Sequence, residues 1–179
     1  MKKIILVFAF LISGIVTQAQ ELNWQTDMSK ATELSLKENK PLLLFFTGSD
    51  WCGWCIKLQR DVLKTTEFAT WATQNVILVE LDFPRNTAQD PTLKMQNQQL
   101  AQTFGIQGYP TVWFVNPVKG EDNKVNLTGL GSLGYDKSAT NWITNANAFL
   151  PEKPKVVEVP KKEEKPKALK KKKTKKVKN

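Results

Sequence analysis

The sequence predicts an α/β fold with a central mixed sheet of about four strands and helices on both faces. Three observations carry that expectation. Apolar runs of strand length, "PLLLFF" at 41–46, "NVILVELDF" at 75–83 and "YPTVWFVNP" at 109–117, alternate with stretches of helical periodicity. The first run is apolar throughout, as in a central strand covered on both faces. After the third run, "VKGEDNK" turns the chain straight back, and alternation followed by one hairpin implies a sheet of mixed direction.

Taken in order, "DMSKATELSLKENK" places Met28, Ala31 and Leu34 at helical spacing, with Asp27 as cap and an end before Pro41. Trp24 is expected to pack ahead of this helix. After the first strand, "TGSD" turns the chain into a helix that starts near two cysteines and carries Ile56, Leu58, Val62 and Leu63. "TTEFATWA" reads as a short helical turn capped by Thr65 or Thr66, with Phe68, Trp71 and Ala72 inward. The second strand is followed by a polar loop at 84–90. A helix in "PTLKMQNQQLAQTFGI" then presents Leu93, Leu100 and Phe104 and stops at Gly105. Pro110 leads the third strand. A shorter strand spans Val125 to Leu127, and Gly129, Gly131 and Gly134 are expected in a loop before the last helix. That helix, in "DKSATNWITNANAFL", is capped by Asp136 or Ser138 and turns Trp142, Ile143, Ala146 and Phe149 inward.

The two ends differ from this body. Residues 1–19 hold two lysines, an apolar run from Ile4 to Ile12, then small and polar residues, which is the form of a secretory signal peptide cleaved after Ala19. The run is short for a membrane span, although an uncleaved anchor is the alternative. No cysteine lies near the cut, so lipid attachment there is chemically excluded. Residues 151–179 carry thirteen lysines against four glutamates, a net +9, with prolines at 151, 154, 160 and 166. Such a segment cannot bury enough apolar surface to order itself, and it is expected to be a disordered tail. Residues 20–150 carry eleven basic and thirteen acidic groups. The overall +9 therefore belongs to the tail, and it does not argue for a nucleic-acid-binding domain. The tail would attract anionic surfaces such as lipopolysaccharide, phospholipid headgroups or an acidic partner, or serve only as a solubilising segment. No nucleic acid is expected as a partner.

The chemistry concentrates in "FFTGSDWCGWCIKLQRD", which holds the only cysteines, Cys52 and Cys55. With no histidine in the chain, a four-ligand zinc site would need a second chain or carboxylates, and no metal is expected. A structural disulfide is a fairer alternative, but so small a loop removes little entropy from the unfolded chain. The redox reading has positive content. Cys52 falls where a buried strand hands over to a helix, and there unpaired N–H groups and the helix dipole stabilise a thiolate. Cys55, one turn in, is placed to resolve a mixed disulfide. Pro110, after Tyr109 at a strand start, is a candidate cis peptide.

"WCGWC" after "LLLFFTGSD", with "GYPT" about fifty-five residues later, resembles the thioredoxin superfamily. It is most similar to exported thioredoxin-like proteins with a "TGSDWCGWC" turn and to the C-terminal periplasmic domain of the transmembrane thiol reductase. The likeness covers residues 24–149. It implies a thioredoxin-like fold over 20–150, with Cys52 attacking, Cys55 resolving and Pro110 facing the disulfide. It also implies substrate contacts from Trp51, Gly53, Trp54, Tyr109 and Thr111. Two departures matter. The family's buried aspartate, six residues before the first active cysteine, is Phe46 here, with Asp50, Glu80 or Asp82 as candidate substitutes through water. Gly53 and Trp54 replace the usual Gly-Pro between the cysteines. Lys57 is a candidate thiolate stabiliser or simply a solvated helix lysine.

The expectation is therefore a monomeric periplasmic thiol-disulfide oxidoreductase that reduces protein disulfides. It needs no cofactor, since no nicotinamide or flavin site is visible, and it takes electrons from a membrane thiol reductase. Oxidation or isomerisation of disulfides, and a non-catalytic binding or chaperone role, stay open as alternatives.

Overall fold

The structure, a computed structural model, describes residues 22–122 and 124–151. The leader expected at 1–19, and the lysine-rich segment from residue 152 on, lie outside the described residues. The elements run α1 (Met28–Glu38), β1 (Leu42–Thr47), α2 (Gly53–Leu58), α3 (Thr66–Asn75), β2 (Ile77–Asp82), α4 (Pro91–Thr103), β3 (Thr111–Lys119), β4 (Val125–Leu133) and α5 (Ala139–Asn147). Helix α2 continues into a π-helical turn, Gln59–Leu63. The sheet order is β2-β1-β3-β4, with β1 parallel to β2 and the other pairs antiparallel. This is a thioredoxin-like α/β fold.

Local chemistry explains where the helices start. Asp27, Thr65, Asp90 and Ser138 each accept backbone N–H groups of the first turn, which satisfies donors that have no partner inside the helix. Pro91 follows Asp90 at the first helical position, where a missing N–H costs nothing. At the other end of α1, Asn39 takes a left-handed conformation with φ 52°, and at the end of α4 Gly105 does the same with φ 60°.

Strand alternation divides the core into two layers. Leu42, Leu44 and Phe46 join Ile77, Val79 and Leu81 beneath Met28 and Ala31 of α1 and Leu100 of α4. Leu43, Phe45, Leu78, Val112 and Phe114 face the other way, against Cys55 and Leu58 of α2, Phe68 and Trp71 of α3, and Trp142 and Ala146 of α5. That second layer is strongly aromatic, and its indoles are satisfied. Trp71 Nε1 donates to Asn147 Oδ1 at 2.8 Å, and Trp142 Nε1 donates to the Gly134 carbonyl at 3.1 Å.

Three local features sharpen or correct what the sequence leads one to expect. Ile56 is exposed, because Cys55, Leu58 and Val62 supply the inward face and Ile56 is rotated away from it. Trp24 packs ahead of α1 as expected, on Phe45, on the side of the sheet opposite that helix. Gln25 bridges Val79 in parallel at the free edge of β2, so alternation turns its neighbour to the Leu78 side. The fourth strand runs to Leu133 instead of ending at Leu127, and Gly129 and Gly131 lie within it, opposite Val115 and Phe114. Both are strand glycines because rings cross them. A Cβ at Gly129 would meet the Trp113 ring at 3.0 Å, and one at Gly131 would fall inside the Phe149 ring. Leu130 is the extra residue of a bulge between those pairs.

Candidate active site

The turn between β1 and α2 carries the cysteines. Cys52 caps α2, with the Cys55 N–H 3.1 Å from its sulfur, and the two cysteines form a disulfide. Their burial is unequal: Cys55 is 0 % exposed and Cys52 5 %. The turn is tight because the N–H groups of Trp51 and Cys52 both donate to the Gly48 carbonyl. Gly48 has no room for a side chain, since a Cβ there would overlap the Trp51 indole.

Antiparallel pairing of β1 with β3 brings the second motif to the same end of the sheet. Thr111 pairs with Phe46 at the exit of β1, which puts Tyr109 and Pro110 beside the cysteine turn. The Tyr109–Pro110 peptide is cis. Thr111 Oγ1 donates to the Gly108 carbonyl at 2.8 Å and closes the loop that presents the proline. Of the residues expected to contact substrate, Trp51, Tyr109 and Thr111 are half-buried, whereas Gly53 and Trp54 are exposed, Trp54 to 55 %.

One wall of the site is built by the loop after β2. Asp50 accepts the backbone N–H groups of Arg85, Asn86 and Thr87 at 2.9, 2.7 and 3.0 Å. These bonds, that from Arg85 foremost, hold its carboxyl below the usual range against a smaller opposing effect of burial. Trp51 Nε1 donates to the Phe83 carbonyl at 2.8 Å, and the Trp51 ring meets Tyr109 edge-on at 5.6 Å. The Arg85 guanidinium lies over the other part of that indole, 3.7 Å from its centroid.

A second group is made by α2 and the segment before α5. Trp54 packs on Tyr135 with centroids 5.2 Å apart, and Lys57 Nζ sits 4.1 Å over the Trp54 ring. Tyr135 OH donates to Asp61 Oδ2 at 2.9 Å, and Asp61 is paired with Arg60. Lys57 is an exposed helix lysine whose head lies over Trp54, with no carboxylate within 4 Å of it among the described residues. Arg85 and Tyr135 escape sequence reasoning altogether, since each reaches the site from a loop with no motif of its own.

The buried-aspartate question takes a different form in three dimensions. Phe46 lies in the layer under α1 and α4, away from the cysteines, with its ring near Phe83 and Phe104. The strand residue facing the cysteine layer is Phe45. Counting six residues back from Cys52 therefore lands on the wrong side of the sheet, because a one-residue offset reverses the face. Among the three candidate substitutes, Asp50 is committed to the loop amides and Asp82 accepts from Ser49 N at 2.8 Å and from Phe83 N at 2.9 Å. Glu80 pairs in register with Phe45 and shares its face. It lines a cavity of about 140 Å³ with Trp24, Phe45, Gln59, Leu63 and Lys64. Burial first, then the charge of Asp82, push its carboxyl above the usual range, partly offset by Lys64.

A dithiol–disulfide pair at the first turn of a helix, beside a cis-proline loop on a four-stranded mixed sheet, defines a thioredoxin-like domain. The chain belongs to the thioredoxin-like domain family, whose sequence pattern matches residues 28–131. It is 39 % identical over 98 residues to the disulfide bond reductase DsbH of Chlamydia pneumoniae, covering 55 % of this chain and 58 % of that one. It is also 28 % identical over 106 residues to the thioredoxin-related protein DsbJ of the same organism, covering 59 % and 30 %. The chain spans less than two thirds of the length of these curated relatives. Among solved structures, the DsbH oxidoreductase superposes with a TM-score of 0.61 at 32 % identity, over 72 % of this chain and 85 % of that one.

Proposed function

We propose that this protein is a thiol-disulfide oxidoreductase that reduces protein disulfides in an exported compartment. The observation that carries the reading is the Cys52–Cys55 disulfide across the first turn of α2, with Cys52 at the cap and Cys55 fully enclosed. In the reduced protein the Cys52 thiolate is stabilised by the N–H groups of the helix start. It attacks one sulfur of a substrate disulfide, forming a Cys52–substrate mixed disulfide and expelling the other substrate sulfur as a thiolate. Cys55, deprotonated, then attacks Cys52 Sγ, restoring the intramolecular disulfide and releasing the second substrate thiol. Two electrons pass to the substrate, and a membrane thiol reductase is the class of donor that would replace them.

Within this reading Pro110 and Tyr109 line the groove in which the substrate segment lies extended, with Trp51, Gly53, Trp54 and Thr111 around it. The reducing direction is supported by the relative named a disulfide bond reductase, and the "TGSDWCGWC" turn supports affiliation with exported members of the family. Residues 1–19 are proposed to direct export, 20–150 to form the catalytic domain, and 151–179 to contact anionic surfaces of the cell envelope.

The test is the equilibrium reduction potential of Cys52–Cys55, together with mixed-disulfide trapping by Cys55→Ala. A potential of roughly −270 mV, with trapped partners that vanish in Cys52→Ala, supports a reductase. A potential of roughly −120 mV would replace it with an oxidase.

A further inference from the structure

Each tryptophan flanking Cys52 has a tyrosine and a cation against it. Trp51 meets a tyrosine, Tyr109, in a T-shaped contact and has a cation, Arg85, over its ring. Trp54 has a tyrosine, Tyr135, at 5.2 Å and a cation, Lys57, over its ring. Trp51 and Trp54 flank Cys52 in the chain, and Arg85, Tyr109 and Tyr135 reach them from three other loops.

The nearby carboxylates are spent locally. Asp50 takes three loop amides, Asp82 takes donors from Ser49 and Phe83, and Asp61 takes Arg60 and Tyr135. The cations are less committed, Lys57 acting on Asp61 only through space. Among the described residues neither Lys57 nor Arg85 forms an ion pair, and a ring face is the contact recorded for each charged head. A guanidinium lying on a ring keeps its N–H donors in plane and available, and an ammonium above a ring keeps those that point outward. Both residues are exposed, and each head rests over an indole before any substrate arrives. The Arg85 backbone is anchored through its N–H on Asp50, and Lys57 stands three residues beyond Trp54 on one helix face. Charges ordered in advance cost less to engage than mobile ones.

We infer that this rim selects disulfides flanked by acidic residues, with a carboxylate from each side of the substrate segment meeting Arg85 and Lys57. The inference rests on the thiol-disulfide exchange proposed above and adds the substrate class. It does not follow from net charge, because residues 20–150 carry more acidic than basic groups.

The experiment uses the reduced full-length protein, wild type and Lys57→Gln/Arg85→Gln. Three probes are compared: bis(2-hydroxyethyl) disulfide, and two otherwise identical peptide disulfides flanked by glutamates or by lysines. Each peptide rate is divided by its rate with dithiothreitol, which removes differences in intrinsic reactivity. The expected glutamate-to-lysine ratio for the wild type is about tenfold at low salt and falls as ionic strength rises. In the double variant it falls to about twofold or less. Equal wild-type rates would overturn the inference while leaving the oxidoreductase reading intact, provided the uncharged disulfide is reduced. A preference that survives in the double variant would also overturn it, because the lysine-rich segment is common to both proteins. Failure to reduce any of the three would overturn the proposed function and this inference together.

Discussion

Asp50 holds Arg85 by its backbone and not by its charge: Oδ1 accepts from Arg85 N at 2.9 Å, while the guanidinium lies on Trp51 at 3.7 Å. One carboxylate in the cysteine turn thereby fixes a loop thirty-five residues away, and that loop returns a cation to the tryptophan beside Cys52. Asp50→Asn should release the loop, since an amide cannot accept N–H groups at both of its ends. Amide exchange at Arg85, Asn86 and Thr87 should accelerate about tenfold or more. Because the folded state depresses the Asp50 carboxyl, its contribution is complete above the ordinary carboxylate range and is lost as pH falls through the depressed value. Protection of these amides, exchange taken relative to its intrinsic rate at each pH, should therefore be steady from neutral to mildly acidic pH and fall below that. The variant should show no such step.

Glu80 has the opposite sign. Its carboxyl is raised by burial and by Asp82, so the folded state binds the proton more tightly than the unfolded chain does. That stability is present below the ordinary carboxylate range and is lost as pH rises through the raised value. Glu80→Gln should raise the Tm of the domain at neutral pH, where the wild-type carboxyl must ionise in its partly buried place. It should also flatten the pH dependence between the two values. Thermal unfolding at several pH values checks both, and an unchanged or lower Tm at pH 7 would contradict the expectation.

Thr47 closes β1 fully buried, and its Oγ1 has no hydrogen-bond partner among the described residues. Burying an unpaired hydroxyl costs free energy that an apolar group of the same shape avoids. Thr47→Val should raise stability by about 1 kcal/mol, read from the urea midpoint at constant m value. A destabilised variant would show that the hydroxyl has a partner in solution.

Gly131 lies under the Phe149 ring, where a Cβ would overlap it. Gly131→Ala must displace Phe149 from its stack on Phe114, whose rings are 5.5 Å apart. The expected loss is about 2 kcal/mol, the cost typical of overpacking a filled core. A chemical-denaturation midpoint equal to that of the wild type would contradict it.

Much of this was legible in the sequence. Asp27, Thr65 and Ser138 mark helix starts in the order of residues alone, and "PLLLFF" declares a strand covered on both faces. The fourth strand was read short because Gly129 and Gly131 look like loop residues until the rings of Trp113 and Phe149 are seen lying across them.

The sequence by itself determined the element order, the mixed sheet and the placing of Cys52 and Cys55 where a strand meets a helix. Those features depend on apolar period, caps and turn residues, and they act over a few neighbouring positions. Only the tertiary structure decided that Phe45, and not Phe46, faces the cysteine layer, because a face depends on where the chain leaves the sheet. It also decided that Arg85 and Tyr135 complete the rim. Asp50 reaches Arg85 across thirty-five residues and Asp61 reaches Tyr135 across seventy-four. Contacts that distant are made by the folded sheet and its packed helices, and no local pattern encodes them.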